Sequence, residues 1–467
     1  MPDVPASAQP PVPSRPPVVL LPRLGQLRTF ESLRFRDYRL LWLGQAGASA
    51  GQWMDQVARS WLIYQLTGSA LQLGAVSAAR ALPMLAFGVI AGVLADRHGR
   101  KAQLIVSQVT NVALNLILAT LVLTGQVQPW HVYVTALLAG TVQAFQQPAR
   151  QSLISDLVGK EHLANAVALN SAIFNLMRSV GPAVAGALIA VVGVDGSYYA
   201  QAVVYAWASL WTMQMNVPGE PGPLGALSRR QHNRRQERQA FAHAGAHQSE
   251  ATPTAALADR ARRQPEGSFF GSMQEGFQYM LGNRLILSLM FLALAPVLLA
   301  MPYTSLMPVF ALDVLQVGSV GQGFLLTAAG LGALVGALGI ASLGRFKRKG
   351  LLLLGGAIMF GLSLIAFSQS TWMQLSLLCL FFAGLSNASY TSQNQTILQI
   401  LTPDRLRGRV LGIYMLNRGL MPLGSLLAGA LADWLGGPWA VTLMGASCAV
   451  VAIAVALRVP AIRELDI

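Results

Sequence analysis

Charged side chains are scarce in this chain. Only 11% of its 467 residues are Asp, Glu, Lys or Arg, whereas 54% are hydrophobic. A soluble protein of this length needs far more charge to cover its surface. The mean hydropathy is +0.49, and apolar runs near the ~20 residues that cross a bilayer recur along the sequence. The composition therefore indicates a membrane protein with many spanning helices.

Cysteine and the sequence patterns of catalysis are scarce as well. The two cysteines, Cys379 and Cys448, both lie in apolar runs, so neither a disulfide framework nor a zinc site is indicated. The six histidines fall in predicted loops or near the ends of apolar runs. No phosphate-binding loop of the form G-x-x-x-x-G-K-[ST] occurs. We therefore expect a protein that is not an enzyme, needs no metal or other cofactor and does not hydrolyse ATP.

The apolar runs predict twelve membrane spans. We place spans 1 to 12 at about 39–65, 72–95, 103–124, 130–153, 164–192, 197–216, 284–309, 320–343, 350–368, 373–399, 408–433 and 437–458. Lys and Arg concentrate in cytoplasmic loops of membrane proteins. Every second connection, beginning with 66–71, contains no Lys or Arg, and the others carry the loop cations. We therefore expect both termini in the cytoplasm, and a net charge of +14 that reflects basic loops rather than nucleic-acid binding.

A long polar stretch divides the chain into two sets of six spans. We assign 1–38 to a Pro-rich, basic N-terminal tail, 39–217 to an N-terminal bundle, 218–272 to a basic linker, 273–458 to a C-terminal bundle and 459–467 to a tail. The linker composition predicts a solvated, largely disordered segment, and docking to anionic lipid is the alternative. A shift of 243 residues places Gly181–Leu188 on Gly424–Leu431, which indicates internal duplication.

The loop between spans 2 and 3 is the most informative motif. It reads Gly92-Val-Leu-Ala-Asp96-Arg97-His98-Gly99-Arg100-Lys101, and a copy without the aspartate, Gly344-Arg-Phe-Lys-Arg-Lys349, follows span 8. The motif resembles the signature loop of the major facilitator superfamily, G-x-x-x-D-R-x-G-R-K/R. The resemblance implies an all-α membrane transporter built from two pseudo-symmetric six-helix bundles, with substrate bound between them.

The same resemblance implies a conformational latch. In the family, the loop aspartate contacts its own loop arginine and the start of helix 11 when the cavity opens outward. We therefore expect Asp96 to contact Arg100 and Arg409, beside a helix N-terminus that favours an anion. A signal for membrane topology alone is the alternative role of the loop. The remaining members of the predicted latch are Gly92, Arg97, Gly99 and Lys101.

Charges inside the spans form a second candidate set. Asp55 and Arg59 lie four residues apart in span 1, so they share a helix face and can pair. Intramembrane charge is costly unless it is paired or hydrated, which makes such residues functional candidates. Asp55 is our candidate proton carrier, and a static salt bridge is the alternative. The other intramembrane cations are Arg80, Arg178 and Arg418.

Span 5 contains the motif Gly181-Pro182-Ala-Val-Ala-Gly186. It resembles, in part, the antiporter motif in helix 5 of drug:proton exporters, and this favours export over uptake. Small-residue packing is the alternative. The stretches Phe35–Gly44 and Pro403–Val410 resemble the twelve-span branch that includes enterobactin and macrolide exporters. Span 4 lacks the arginine of classical drug:proton antiporters, which weakens any transfer of their proton relay.

Polar and aromatic side chains within the spans supply candidate cavity residues, although amides in hydrocarbon also join helices to one another. The predicted cavity set is Gln143, Asn170, Asn175, Tyr390 and Asn394. Since the spans carry Arg178 but few acids, we favour neutral or anionic amphipathic substrates.

The prediction is a monomeric bacterial inner-membrane exporter that works by alternating access in exchange for protons. Its partners are a small-molecule substrate, the proton gradient and the lipid bilayer, with no nucleic acid. The alternatives are a proton-coupled importer of a small metabolite and a non-transporting membrane scaffold or channel.

Overall fold

The computed structural model describes residues 28–97, 99–217, 269–342 and 348–465. Regular secondary structure in these ranges is helical, as the apolar runs predict. Nine helical stretches of the described residues are long and apolar enough to cross a membrane, and one of them, Glu161–Met213, contains both span 5 and span 6. Spans 1 and 4 are helical as well, but polar residues such as Asp55 and Gln146 lower their hydropathy. The all-α fold of twelve membrane helices is confirmed.

The N-terminal half contains long helices that break at glycines. Span 1 is Arg36–Thr67, span 2 is Ala70–Arg97 and span 3 is Arg100–Leu123. Spans 4, 5 and 6 lie in one helical run, Pro129–Met213. This run is interrupted where Gly159 and Gly193 have φ values of 71° and 77°. A positive φ favours glycine, so these two residues separate the three spans.

The C-terminal half has more irregular helices. A helix at Phe269–Gly282, which we call the linker helix, precedes Arg284–Leu299 of span 7. Span 7 then continues through short 3-10, α and π turns to Val314, where Pro302 and Pro308 cannot donate to the helix ladder. Span 11 consists of Asp404–Arg418 and Met421–Leu435. The remaining helices are Gly318–Ser342 (span 8), Lys349–Ser368 (span 9), Met373–Leu401 (span 10), Gly437–Arg458 (span 12) and the short Pro460–Arg463.

The two halves meet where spans 2 and 11, and spans 5 and 8, pack against each other. A Cβ added at Gly74 of span 2 would lie 2.2 Å from the Ser425 carbonyl oxygen of span 11. One added at Gly186 of span 5 would lie 2.4 Å from the Ser319 carbonyl oxygen of span 8. Only glycine allows backbones to approach so closely. We call the end of the bundle with the Lys- and Arg-free connections the outer end, and the opposite end the inner end.

Candidate functional site

A cavity of about 370 Å³ lies between the two halves. Spans 1 and 5 contribute polar, aromatic and proline side chains from the N-terminal half, and spans 7, 8, 10 and 11 contribute the opposite wall. A cavity of this size is typical of a small-molecule site. The lining includes the side chains of Trp53, Gln56, Arg178, Pro182, Tyr303, Asn387, Tyr390, Tyr414 and Asn417.

Among the described residues that line the cavity, Arg178 is the one with a charged side chain. Its guanidinium carbon lies 5.9 Å from the centroid of the Trp53 ring, within the range of a cation–π interaction. Trp53 also packs edge-on against Phe174, with ring centroids 5.7 Å apart. The span 5 motif supports this arrangement, because a Cβ at Gly181 would lie 2.8 Å from the Trp53 Cβ. Gly181 thus lets span 1 approach span 5 and place Trp53 at the cavity wall.

The rest of the span 5 motif contacts the other half. Pro182 lines the cavity, and a Cβ at Gly323 of span 8 would lie 2.5 Å from the Pro182 carbonyl oxygen. Gly186 accepts a hydrogen bond from the Ser319 hydroxyl at 3.0 Å through its carbonyl. The three motif residues therefore lie at contacts of span 5 with spans 1 and 8.

The structure brings Asp55, Arg59 and Arg80 together within the N-terminal half. Asp55 and Arg59 are 3% and 4% exposed. Arg59 donates to both carboxylate oxygens of Asp55, at 2.8 and 3.2 Å, and Arg80 of span 2 donates to the same carboxylate. Arg59 also donates to the Thr135 hydroxyl of span 4 at 2.7 Å. One buried carboxylate thus faces two guanidinium groups, and its neutralisation would leave two adjacent cations.

The outer end holds hydrogen bonds between the halves, which we call the outer gate. Tyr64 of span 1 donates to Asp313. Asp433, near the end of span 11, accepts from the Ser69 hydroxyl at 2.7 Å and from the Ala70 amide at 2.6 Å. A carboxylate in the last turn of its own helix is electrostatically unfavourable, whereas one at a helix start is favourable. Asp433 therefore acts as an N-terminal cap for span 2, across the boundary between the halves.

At the inner end, two cations of the predicted latch contact groups outside the loop. Arg100 donates to Asp156, and Lys101 donates to the Met213 and Met215 carbonyls at 2.8 and 2.6 Å. Gly99 precedes span 3 with φ −53°. The surroundings of Gly92, Asp96, Arg97 and Arg418 lie outside the part of the chain whose side chains are described. The contacts of Asp96 with Arg100 and Arg409 stay predictions.

Sequence reasoning missed one partner of Arg409. Glu275, on the linker helix, accepts hydrogen bonds from both Arg405 and Arg409 at the start of span 11. The hydrogen bond from Arg405, and next to it the charge of Arg409, hold the pKa of the Glu275 carboxyl below its ordinary range. The available signal was a single acid just before span 7, opposite a basic helix start.

The predicted cavity residues separate into two groups. Tyr390 lines the cavity while its hydroxyl donates to the Leu292 carbonyl. Asn394 is fully buried and donates to the Leu289 carbonyl at 3.1 Å, so it joins spans 10 and 7. Asn175 donates to the Ser171 carbonyl of its own helix at 2.9 Å. Gln143 and Asn170 are partly buried and, like Asn175 and Asn394, are not part of this cavity lining.

Comparison with characterised proteins gives relatives along nearly the whole chain. The staphyloferrin A transporter of Staphylococcus aureus is 26% identical over 398 residues, covering 85% of this chain and 90% of that protein. The multidrug efflux pump Tap of Mycolicibacterium fortuitum is 27% identical and covers 90% and 95%. Macrolide efflux protein A of Streptococcus pyogenes is 24% identical and covers 91% and 96%.

Solved transporter structures share the fold. A POT family transporter in complex with 5-aminolevulinic acid superposes with a TM-score of 0.64 at 11% identity, covering 91% of this chain and 96% of that one. A D-xylose-proton symporter gives a TM-score of 0.63 at 13% identity, covering 90% and 97%. The sequence profile of the family described as transmembrane secretion effector matches residues 27–227 and 251–467. Because this match spans both six-helix halves, the chain belongs to that family of major facilitator superfamily transporters.

Proposed function

We propose that this protein is a secondary active transporter that exports small amphipathic molecules across a bacterial cytoplasmic membrane, by alternating access and in exchange for protons. The observation that carries the proposal is the cavity between the two halves, together with the hydrogen bonds that join the halves at the outer end. Two of the relatives above are named as efflux proteins, for drugs and for macrolides, and this supports export.

Alternating access requires the outer gate to open while the inner end closes. In this structure Asp313 and Asp433 hold the outer gate, and Glu275 holds Arg409 at the inner end. We propose that Asp96 contacts Arg409 in the outward-open conformer. The latch loop would then stabilise the outward-open conformer and shift the conformational population without contacting the substrate.

Proton coupling is assigned to Asp55. A proton on this carboxylate would leave Arg59 and Arg80 facing each other without a counter-charge, which is costly in a buried site. Arg80 has the more exposed side chain, at 20% against 5% for Arg59. We therefore propose that Arg80 leaves Asp55 first, as span 2 moves, and that protonation follows. The proton would thus be taken up in one conformer and released in the other.

The inner end carries Arg100, Lys101, Arg405 and Arg409, and we propose that it faces the cytoplasm, with both termini and the linker 218–272 on the same side. We further propose that the protein works as a monomer. Labelling of single cysteines placed at Gln126 and at Glu464 by an impermeant maleimide in intact cells tests the orientation. We expect labelling of Gln126→Cys only. Labelling of Glu464→Cys instead would show that the orientation is the opposite one.

Transport into inside-out membrane vesicles tests the function. Vesicles that contain the protein are given a panel of fluorescent amphipathic dyes and an imposed proton gradient, acidic inside. We expect gradient-dependent accumulation of at least one dye, and loss of that accumulation in Asp55→Asn at equal membrane content. Accumulation in right-side-out vesicles instead would indicate an importer, and accumulation that persists in Asp55→Asn with its proton dependence intact would eliminate the role of Asp55.

A further inference from the structure

We infer that the central cavity recognises its substrate through a carboxylate, so that the substrates are amphipathic organic anions. This inference rests on the proposed export function and narrows it to a chemical class.

The first observation is the charge of the cavity wall. Arg178 is a cation in the lining, and the lining contains no Asp or Glu among the described residues. A guanidinium presents parallel N–H donors that match the two oxygens of a carboxylate. An intramembrane cation of this kind is a candidate functional residue. A ligand carboxylate that approaches Arg178 meets no acidic side chain in the described lining that would repel it.

The second observation is a pair of N–H donors at the same cavity. The Trp53 Nε1 and Asn417 Nδ2 atoms are buried and have no hydrogen-bond acceptor among the described residues. Both side chains belong to the cavity lining. The indole N–H is a donor only, so its partner must bring an acceptor. Acceptor oxygens on the ligand can therefore receive hydrogen bonds from Trp53 and Arg178 of the N-terminal half and from Asn417 of the C-terminal half.

The third observation is the apolar remainder of the wall. Pro182, Pro296, Val297, Met301 and Leu326 line the cavity together with the rings of Tyr303 and Tyr390. These surfaces bury an apolar body, and the volume of about 370 Å³ limits that body to a small molecule. The wall is thus cationic at Arg178 and mostly apolar elsewhere, which is the complement of an amphipathic anion.

The position of Arg178 connects this recognition to the movement of the halves. Its neighbour Ser179 packs against span 8, where a Cβ at Gly330 would lie 2.9 Å from the Ser179 Cα. An anion on Arg178 therefore binds beside a close contact between the halves. Asn417 belongs to span 11, which also carries Asp433 of the outer gate. A ligand that accepts hydrogen bonds from both Arg178 and Asn417 therefore contacts both halves at once.

The test uses matched probes. Three aromatic scaffolds, one of them biphenyl, are each prepared as the carboxylate, the neutral amide and the methylamine. Binding to the full-length protein in lipid nanodiscs is measured by calorimetry at neutral pH, with empty nanodiscs to subtract partitioning. We expect the carboxylates to bind at least about tenfold more tightly than the amides, the factor that one charge-assisted hydrogen bond supplies.

Variants of Arg178 then assign the preference. Arg178→Gln should abolish it, Arg178→Lys should retain part of it, and Arg178→Glu should turn it toward the amines. Arg284→Gln removes an equal charge from an exposed position at the start of span 7 and should change nothing. A wild-type protein without a carboxylate preference on any scaffold, or a preference unchanged in Arg178→Gln, would overturn the inference.

Vesicle transport of the same probes separates this inference from the proposed function. Proton-driven export of amides or amines in preference to carboxylates would leave the exporter standing and refute the anion class. Tight, Arg178-dependent carboxylate binding without gradient-dependent movement would support the anion site and refute proton-driven export.

Discussion

Removal of the Asp433 carboxylate should open the outer gate. The carboxylate accepts two hydrogen bonds from the N-terminal half, from the Ser69 hydroxyl at 2.7 Å and the Ala70 amide at 2.6 Å. These bonds exist only while the halves meet at the outer end. Asp433→Ala therefore destabilises the conformer in which the outer gate is closed and leaves an outward-open conformer nearly unaffected.

The expected shift follows from the capping geometry. Loss of an N-terminal cap costs about 1 kcal/mol, and loss of the partly solvated hydroxyl bond adds about 0.5 kcal/mol. The sum of about 1.5 kcal/mol changes the ratio of the two conformers roughly tenfold toward outward-open. Asp433→Asn keeps an acceptor oxygen but loses the charge–dipole attraction, so its shift should be about 0.5 kcal/mol.

Electron–electron distance measurements can check this ratio. Spin labels at Gln126 and Thr371, which are exposed in outer loops of opposite halves, report the outer separation once the buried Cys379 and Cys448 are replaced. Asp195→Ala is the matched control, since this carboxylate lies against Gly193 of its own half. An unchanged distance distribution in Asp433→Ala, or an equal shift in the control, would refute the capping role.

Three further results are expected. A Cβ at Gly186 would lie 2.4 Å from a carbonyl oxygen of span 8, so Gly186→Ala should separate the two halves at the outer end and reduce transport severalfold. Gly355→Ala is the control and should leave transport intact, because a Cβ there meets nothing within 4 Å. Asp55→Asn should lower the free energy of unfolding by about 3–5 kcal/mol by leaving two buried cations unpaired, and Asp55→Asn/Arg80→Gln should recover part of the loss in thermal unfolding. Because the pKa of Glu275 is lowered, its contact with span 11 is complete at neutral pH and is lost only as the pH falls through that lowered pKa. The distance between spin labels on the linker helix and on span 11 should therefore increase in acid, and Glu275→Gln should show the longer distance at every pH; a flat wild-type profile would contradict this.

Much of the fold follows from the sequence because membranes penalise charge so strongly. The twelve spans are predicted by the length of the apolar runs and by the alternation of connections with and without Lys or Arg. The pairing of Asp55 with Arg59 follows from their spacing of four residues on one helix. The partnership of Asp55 with Arg80 requires only that spans 1 and 2 pack together, and the structure places the two side chains in contact.

The cavity lining is harder to predict, because two similar side chains on one helix can meet different neighbours. Asn387 and Asn394 lie seven residues apart on span 10 and share a face. Asn387 borders the cavity, whereas Asn394 donates to a carbonyl of span 7. Their depth relative to span 7 decides the outcome, and this depth depends on tertiary packing. The contact between Glu275 and Arg409 depends on packing in the same way, since no local spacing connects residues so far apart in sequence.

The close approach at Gly181 has a consequence for how this transporter can diversify. Gly181 sets how far Trp53 reaches into the pocket, while its motif partners Pro182 and Gly186 touch span 8 of the moving half. A substitution in the motif thus alters pocket shape and conformational exchange together. Changes of substrate range that spare turnover should accumulate instead on the opposite wall, at positions such as Tyr303 and Asn387. The motif of span 5 would then be constrained against change when a lineage meets a new compound.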